Sequence, residues 1–165
     1  MKNISMRKYE KKDCDRVLEI NKELVHFLSP LTKEKLNSLI DQSEMFNVVE
    51  IDGLVEAFVL TFREGKKYDS INYLWFSEHY ERFLYIDRVV VSSKMHGKKL
   101  GKLLYESVFI HARQTGVDCV AAEIDIEPPN PGSLLFHKKF GFKEVGQQKV
   151  AGGKKLVSLQ VASSN

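Results

Sequence analysis

The stretch from Ile86 to Gln114 constrains this chain most. An apolar strand carrying Ile86, Val89, Val90 and Val91 runs into the turn Ser92-Ser93-Lys94-Met95. The basic elbow His96-Gly97-Lys98-Lys99-Leu100-Gly101 follows and opens a long amphipathic helix. A strand that hands a glycine-containing turn to a helix N-terminus commits the chain to a sheet with helices laid on it. It also builds an anion site. The first amides of a helix have no partner within it, and the helix dipole adds a positive field. Lys94, Lys98, Lys99 and Lys102 add formal charge. The expected guest is a phosphate or pyrophosphate on a small molecule or cofactor.

Around this run the pattern alternates between strand and helix. Residues 4–9 read as a first strand. Helical spacing predicts a helix from Cys14 to Leu28, capped by Asp13 and stopped at Ser29-Pro30, and a short second one after the cap Thr32. Phe46–Glu50 and Leu54–Phe62 are apolar runs joined through Asp52-Gly53, a hairpin signal. Arg63 to Asp69 reads as a loop, Asn72 to Phe76 as an aromatic segment, and Ser77 to Phe83 as a short helix before the strand Tyr85–Val91. The elbow helix is predicted from Lys98 to about Thr115, with Gly116 ending it. A strand at Cys119–Ile126, a helix at Pro131–Phe140 and two strands, Phe142–Gln148 and Lys155–Val161, complete the chain, with a frayed tail from Ala162. Hairpins and crossovers together predict an α/β fold whose mixed central β-sheet is flanked by helices.

Composition narrows the class. At 165 residues and 43% apolar content, one domain covering 1–165 can bury a core. The basic N-terminus has no apolar segment, so no signal peptide is expected, and no window approaches a membrane span. Cys14 and Cys119 read as free thiols of a cytoplasmic protein. A net charge of +3 points to anionic small ligands rather than nucleic acid. No metal-ligand spacing occurs.

Two further features carry chemistry. The strand after the elbow helix places Glu123, Asp125 and Glu127 on one face, with Ala121. Three acids in a dry core would be costly, so that face is expected to open into a cleft or lie at an edge. Tyr73, Trp75, Phe76 and Tyr80 are expected either to wall a pocket and hold a cation by a π face, or to pack an irregular segment onto the sheet.

The run Val91-Ser92-Ser93 followed by His96-Gly97-Lys98-Lys99-Leu100-Gly101, and the later Asn130 to Phe142 element ending His137-Lys138-Lys139-Phe140-Gly141-Phe142, resemble the GCN5-related N-acetyltransferase superfamily. The likeness covers roughly residues 4 to 161. It implies a single-domain GNAT-like fold, an acyl-CoA N-acyltransferase-like domain, and acetyl-CoA (coenzyme A) as cofactor. It implies that Val89, Val90 and Val91 offer main-chain groups to the pantetheine arm. The pyrophosphate would rest on amides of His96 to Gly101, Lys98 and Lys99 among them, while Lys94, Lys98 and Lys102 either reach the 3′-phosphate or raise the local anion concentration. Asn130 either caps its helix or contacts the cofactor arm, and Ser133 and Phe136 stand where they could join it. His137 occupies the position of a frequent tyrosine general acid. His96 replaces an arginine or glutamine, Ser93 a proline, and Lys99 a glycine. Lys99 is expected to sit in helical backbone geometry that needs no glycine.

An amine acceptor must shed a proton before attacking a thioester. Glu123, Asp125 and Asp87 are the candidate bases, with Glu127 beside them; each could instead attract a cationic amine or pair with a neighbouring cation. The acceptor is expected to be a small molecule or peptide amine, and the resemblance adds a homodimer. Neither cysteine has the context of a nucleophile. The alternatives are a CoA- or acyl-CoA-binding module with little transferase activity, and a nucleotide- or nucleic-acid-binding domain.

Overall fold

Alternating apolar runs and capped helical segments produce, in the computed structural model, which describes residues 2–24 and 30–165, seven strands and five α-helices among the described residues, with two short 3-10 turns. Their order is β1 (Ile4–Lys8), α1 (Cys14–Lys22), α2 (Lys33–Gln42), β2 (Met45–Ile51), β3 (Leu54–Arg63), α3 (Ile71–His79), β4 (Leu84–Val91), α4 (Leu100–Gln114), β5 (Cys119–Glu127), α5 (Pro131–Lys139), β6 (Lys143–Val150) and β7 (Lys155–Ser163). The sheet order is β1-β2-β3-β4-β5-β7-β6. It is mixed, as expected: β4 and β5 pair in parallel, while β1–β2, β2–β3, β5–β7 and β6–β7 pair antiparallel.

The chain divides into two compact units, one of residues 1–62 and 86–108, the other of 63–85 and 109–165. In the first, β2 and β3 form the predicted hairpin. Asp52 and Gly53 take φ of 52° and 83°, the paired positive values that suit the twist of a two-residue turn. Val48, Val49, Phe58 and Leu60 are fully buried there, with Val17 and Ile20 of α1 and Leu36 of α2. Thr32 caps α2 by accepting from Lys35 N at 3.1 Å. Arg7 of β1 ties Asp13 at 2.8 Å and Glu50 of β2 at 2.5 Å. Asp13 stands at the N-cap of α1, yet its carboxylate makes no cap bond; it accepts from Arg7 and from Glu10 N instead. α1 is described as ending at Lys22, and the predicted extension through Val25 and Leu28 to Ser29 lies outside the described residues.

In the second unit, β5 lies between β4 and β7, paired to β4 through Leu84 and Tyr85 and to β7 along its length. The segment before β4 departs from the prediction. The helix is α3, beginning at Ile71, rather than residues 77–83. Ser70 supplies its cap, accepting from Tyr73 N at 3.5 Å. Tyr73 and Phe76, three apart, turn inward onto Tyr85 with ring centroids 5.6 and 5.8 Å away. The unbroken aromatic run hid this helical spacing. The chain end is also ordered differently. β7 continues to Ser163, and Ser164 is buried, its hydroxyl donating to Val117 O at 2.5 Å and its N–H to Asp118 O at 3.1 Å. Those bonds replace the expected fraying.

Candidate active site

In the first unit the alternation of β4 sorts the predicted cofactor residues. Ile86, Arg88 and Val90 are buried, whereas Asp87, Val89 and Val91 are half-buried on the alternate positions. Asp87 does not present a bare carboxylate: Oδ2 accepts from Arg88 Nε at 2.7 Å, and both side chains are almost fully covered.

After Val91 a short 3-10 turn, Ser93–Met95, leads to the elbow. His96 is exposed, with Nε2 3.0 Å from Val91 O, so it folds back on the strand it has just left. Gly97 has φ of 80° and Lys99 of 64°. The expected helical geometry at Lys99 is therefore corrected. The helix starts at Leu100, two residues after the predicted Lys98, and the turn into it needs a left-handed residue, a conformation that lysine adopts only at a cost. The first bond from outside into α4 runs from Leu103 N to Lys99 O at 3.2 Å, so the amides of Leu100, Gly101 and Lys102 lie ahead of it. Leu100 is anchored in the core. Lys94, Lys98, Lys99 and Lys102 are exposed around this amide set, and Lys102 reaches Glu106 at 3.8 Å.

In the second unit, β5 is an interior strand and not an edge, and two of its three acids are engaged. Glu123 Oε2 accepts the Tyr85 hydroxyl at 2.7 Å. Asp125 Oδ2 accepts from Lys155 Nζ of β7 at 3.1 Å. Glu127 is exposed. Sequence reading missed Tyr85 as the partner of Glu123, although Leu84 and Tyr85 are the residues through which β4 pairs with β5.

α5 begins as predicted, with Asn130 Oδ1 accepting from Ser133 N at 3.3 Å and Pro131 in its first turn. His137 is the buried side chain of this helix, 6% exposed. Its Nδ1 lies 2.7 Å from Ser133 O, a distance at which Nδ1–H donates to the carbonyl. Phe136 and Phe142 meet the imidazole edge-on at 5.6 and 5.0 Å. Burial lowers the His137 pKa below the ordinary histidine value, against a smaller opposing pull from the Ser133 carbonyl, so the ring is held neutral.

The aromatic segment packs as the second of its two readings predicts, on a helix rather than an irregular stretch. Trp75 stacks on His79 at 3.8 Å and 12°, and its six-membered ring lies so close to Gly146 of β6 that a Cβ there would come within 2.6 Å. Asn72 Oδ1 accepts from Gln148 Nε2 at 3.0 Å. Burial pushes the Cys119 thiol up to about 11, so it holds its proton at neutral pH and makes a poor nucleophile. Among the described residues no group of three or more His, Cys, Asp or Glu could hold a metal ion, and no helix is long and apolar enough to cross a membrane.

A mixed sheet with crossover helices, and a basic elbow between β4 and α4, define an α/β protein. The sequence model of the acetyltransferase (GNAT) family matches residues 15–142, and the chain belongs to that family. A comparison with curated proteins gives no match. Solved structures share the fold. The ribosomal-protein-S18-alanine N-acetyltransferase from Escherichia coli is 15% identical, over 100% of this chain and 95% of that one, with a TM-score of 0.74. Naa50 of Arabidopsis thaliana, in complex with the bisubstrate analogue CoA-Ac-MVNAL, is 15% identical over 97% and 98%, with a TM-score of 0.74. The yncA protein of Salmonella typhimurium, with its cofactor acetyl-CoA, is 19% identical over 98% and 94%, with a TM-score of 0.72.

Proposed function

We propose that residues 1–165 form one acetyl-CoA-dependent N-acetyltransferase domain, moving an acetyl group to a primary amine of a small molecule or peptide by direct attack in a ternary complex. The observation that carries this reading is the elbow: Gly97 and Lys99 take left-handed geometry, α4 starts at Leu100, and Lys94, Lys98, Lys99 and Lys102 are exposed around that start. Family membership turns a generic anion site into one for the CoA pyrophosphate. The main chain beside Val89, Val90 and Val91 takes the pantetheine arm and polarises the thioester carbonyl. Asn130, Ser133 and Phe136 line the arm from α5.

In the reaction the acceptor ammonium gives a proton to Glu123, directly or through water. The freed amine attacks the thioester carbon, a C–N bond forms, the C–S bond breaks, and the CoA thiolate leaves with a proton. Glu123, which accepts the Tyr85 hydroxyl at 2.7 Å, is taken as the base, and Asp87 and Asp125 stand in ion pairs with Arg88 and Lys155 at 2.7 and 3.1 Å. Asp87 and Asp125 then shape the field that draws in a cationic amine. His137 supplies the proton to sulfur. With its pKa lowered and its Nδ1–H engaged by Ser133 O, it does so by relaying the proton released from the attacking nitrogen. Unpaired Cys14 and Cys119 accord with a cytoplasmic location.

A peptide N-terminus and a small polyamine both meet these demands. The test is release of free CoA thiol from acetyl-CoA with a panel of amines, including peptides with free N-termini. Turnover with at least one amine is the expected result. Tight CoA binding with no turnover on any amine would overturn the transferase reading in favour of a CoA-binding module.

A further inference from the structure

Beneath the elbow lies a set of buried polar groups that the acetyl-transfer reading leaves without a role. Ser92, directly after β4, is 1% exposed and Glu56 of β3 is 2% exposed. Glu56 holds Ser92 twice. Its main-chain oxygen accepts from Ser92 N at 2.8 Å, and its Oε2 accepts the Ser92 hydroxyl in a close contact. The other carboxylate oxygen, Oε1, accepts from Arg16 Nη2 of α1 at 2.9 Å, while Arg16 Nε donates to Val55 O at 2.8 Å. One residue further on, Ser93 N donates to Oε2 of Glu23 at 2.8 Å. Arg16 and Glu23, seven apart, share one face of α1 and its end.

We propose that Glu56 and Ser92, backed by Arg16, are positioning residues that hold the elbow in its anion-presenting conformation before any ligand arrives. This rests on the acetyl-CoA reading only for the identity of the ligand. The physical case starts from cost. A buried ion pair is a weak source of stability, since desolvating both charges offsets their attraction. An apolar pair would fill the same space at no such cost. What the carboxylate adds is direction: a side-chain and a main-chain bond from a single residue fix both position and rotation of Ser92. From there the chain has little freedom left. Met95 N bonds Ser92 O at 2.9 Å, Lys98 N bonds Met95 O at 3.2 Å, and the strained Lys99 comes next. A left-handed lysine persists only where its surroundings over-determine it. A loop ordered in advance also spares the ligand the entropy of ordering it.

The test compares wild type with Ser92→Ala, Ser92→Thr and Glu56→Gln. Hydrogen exchange of the segment 92–103 is measured in the free protein, CoA affinity by calorimetry, and kcat at saturating acetyl-CoA. Ser92→Ala and Glu56→Gln are expected to speed exchange in that segment about 10-fold and weaken CoA about 10-fold, consistent with the loss of one buried hydrogen bond to a charged group. Exchange in β5, β6 and β7 and kcat at saturation should stay within about twofold of wild type, because a positioning role acts on the elbow alone. Ser92→Thr, which keeps the hydroxyl, should restore both readouts. Unchanged exchange at 92–103 in Ser92→Ala overturns the proposal. So does faster exchange spread evenly over the chain, which marks a merely structural role, and so does faster elbow exchange with unaltered CoA affinity. If wild type itself binds no CoA, the function reading fails separately, and elbow exchange alone decides the clasp.

Discussion

The elbow at 96–101 leaves its charges exposed and fixes its backbone, whereas β5 fixes two of its acids, Glu123 and Asp125, and half-buries them. At the elbow the left-handed Gly97 and Lys99 set where the amides point, and the lysines around them are solvated. On β5, Glu123 and Asp125 are each held by a partner from another strand, Tyr85 of β4 and Lys155 of β7. On the proposed reading, a binding end that works through main-chain donors tolerates changed side chains, so His96 and Lys99 can replace the residues that the resemblance leads one to expect without removing an amide. A chemical end that works through paired side chains tolerates few.

The largest break in this contrast comes from the backbone. Gly97→Pro removes an N–H and forces a negative φ where 80° is found. CoA affinity should fall about 100-fold or more by calorimetry, the scale of a distorted turn together with a lost donor. Retained affinity would take the elbow out of the site. On β5 the corresponding break is Glu123→Gln. It should cost about 100-fold in kcat, within the usual range for general bases, with the KM for acetyl-CoA within about twofold. Asp125→Asn should cost only about threefold, as expected for a field effect at a partly exposed ion pair. Equal losses at the two positions would show that the Tyr85 bond does not single out the base.

These regions also differ in how much of them could be read from the residues alone. The elbow, the Asp52-Gly53 hairpin and the Asn130 cap depend on local chemistry, and each forms where the sequence predicts it. A lysine gives no local sign of positive φ, so the left-handed geometry of Lys99 is not legible in the sequence; only the neighbouring turn imposes it. The pairing of Glu123 with Tyr85 spans 38 positions, and that of Ser92 with Glu56 spans 36. Nothing in either segment signals its partner. Glu56 is a carboxylate within the apolar run Leu54–Phe62, and its burial makes sense only once Arg16 arrives from α1. The three-acid face of β5 was expected to be open because unpaired acids are costly, and Lys155 and Tyr85 lower that cost by means that periodicity does not reveal.

His137 tests whether α5 belongs with the chemical end. His137→Phe keeps an aromatic ring among Phe136 and Phe142 and removes both ring nitrogens. It should lower kcat about 10-fold, at the low end of acid–base contributions, with CoA affinity nearly unchanged. Unchanged kcat would sink the acid role. Stability gives an independent readout. Burial lowers the His137 pKa, so below the ordinary value of about 6.5 the unfolded chain binds a proton that the folded chain refuses. Its contribution is intact above that pH and is lost as pH falls from there toward the folded value. Thermal melts from pH 7 to pH 5 should therefore show a shallower fall for His137→Phe than for wild type, and parallel curves would place the titration elsewhere.

The smallest effect separates conformation from charge at the elbow itself. Lys99→Gly relieves a left-handed lysine, worth about 1 kcal/mol, and should raise Tm by roughly 2–4 °C for a chain of this size. The same change removes one exposed cation from the amide set, so CoA affinity should fall about two- to threefold at low salt and the difference should fade at high salt. A gain in stability with a salt-dependent loss of affinity is the signature of a lysine kept for its charge at a conformational cost. Lys99→Gly with higher stability and equal or better affinity at every salt concentration would mean that the backbone alone binds the ligand. The contrast with β5 would then be sharper still, with no elbow side chain at position 99 contributing at all.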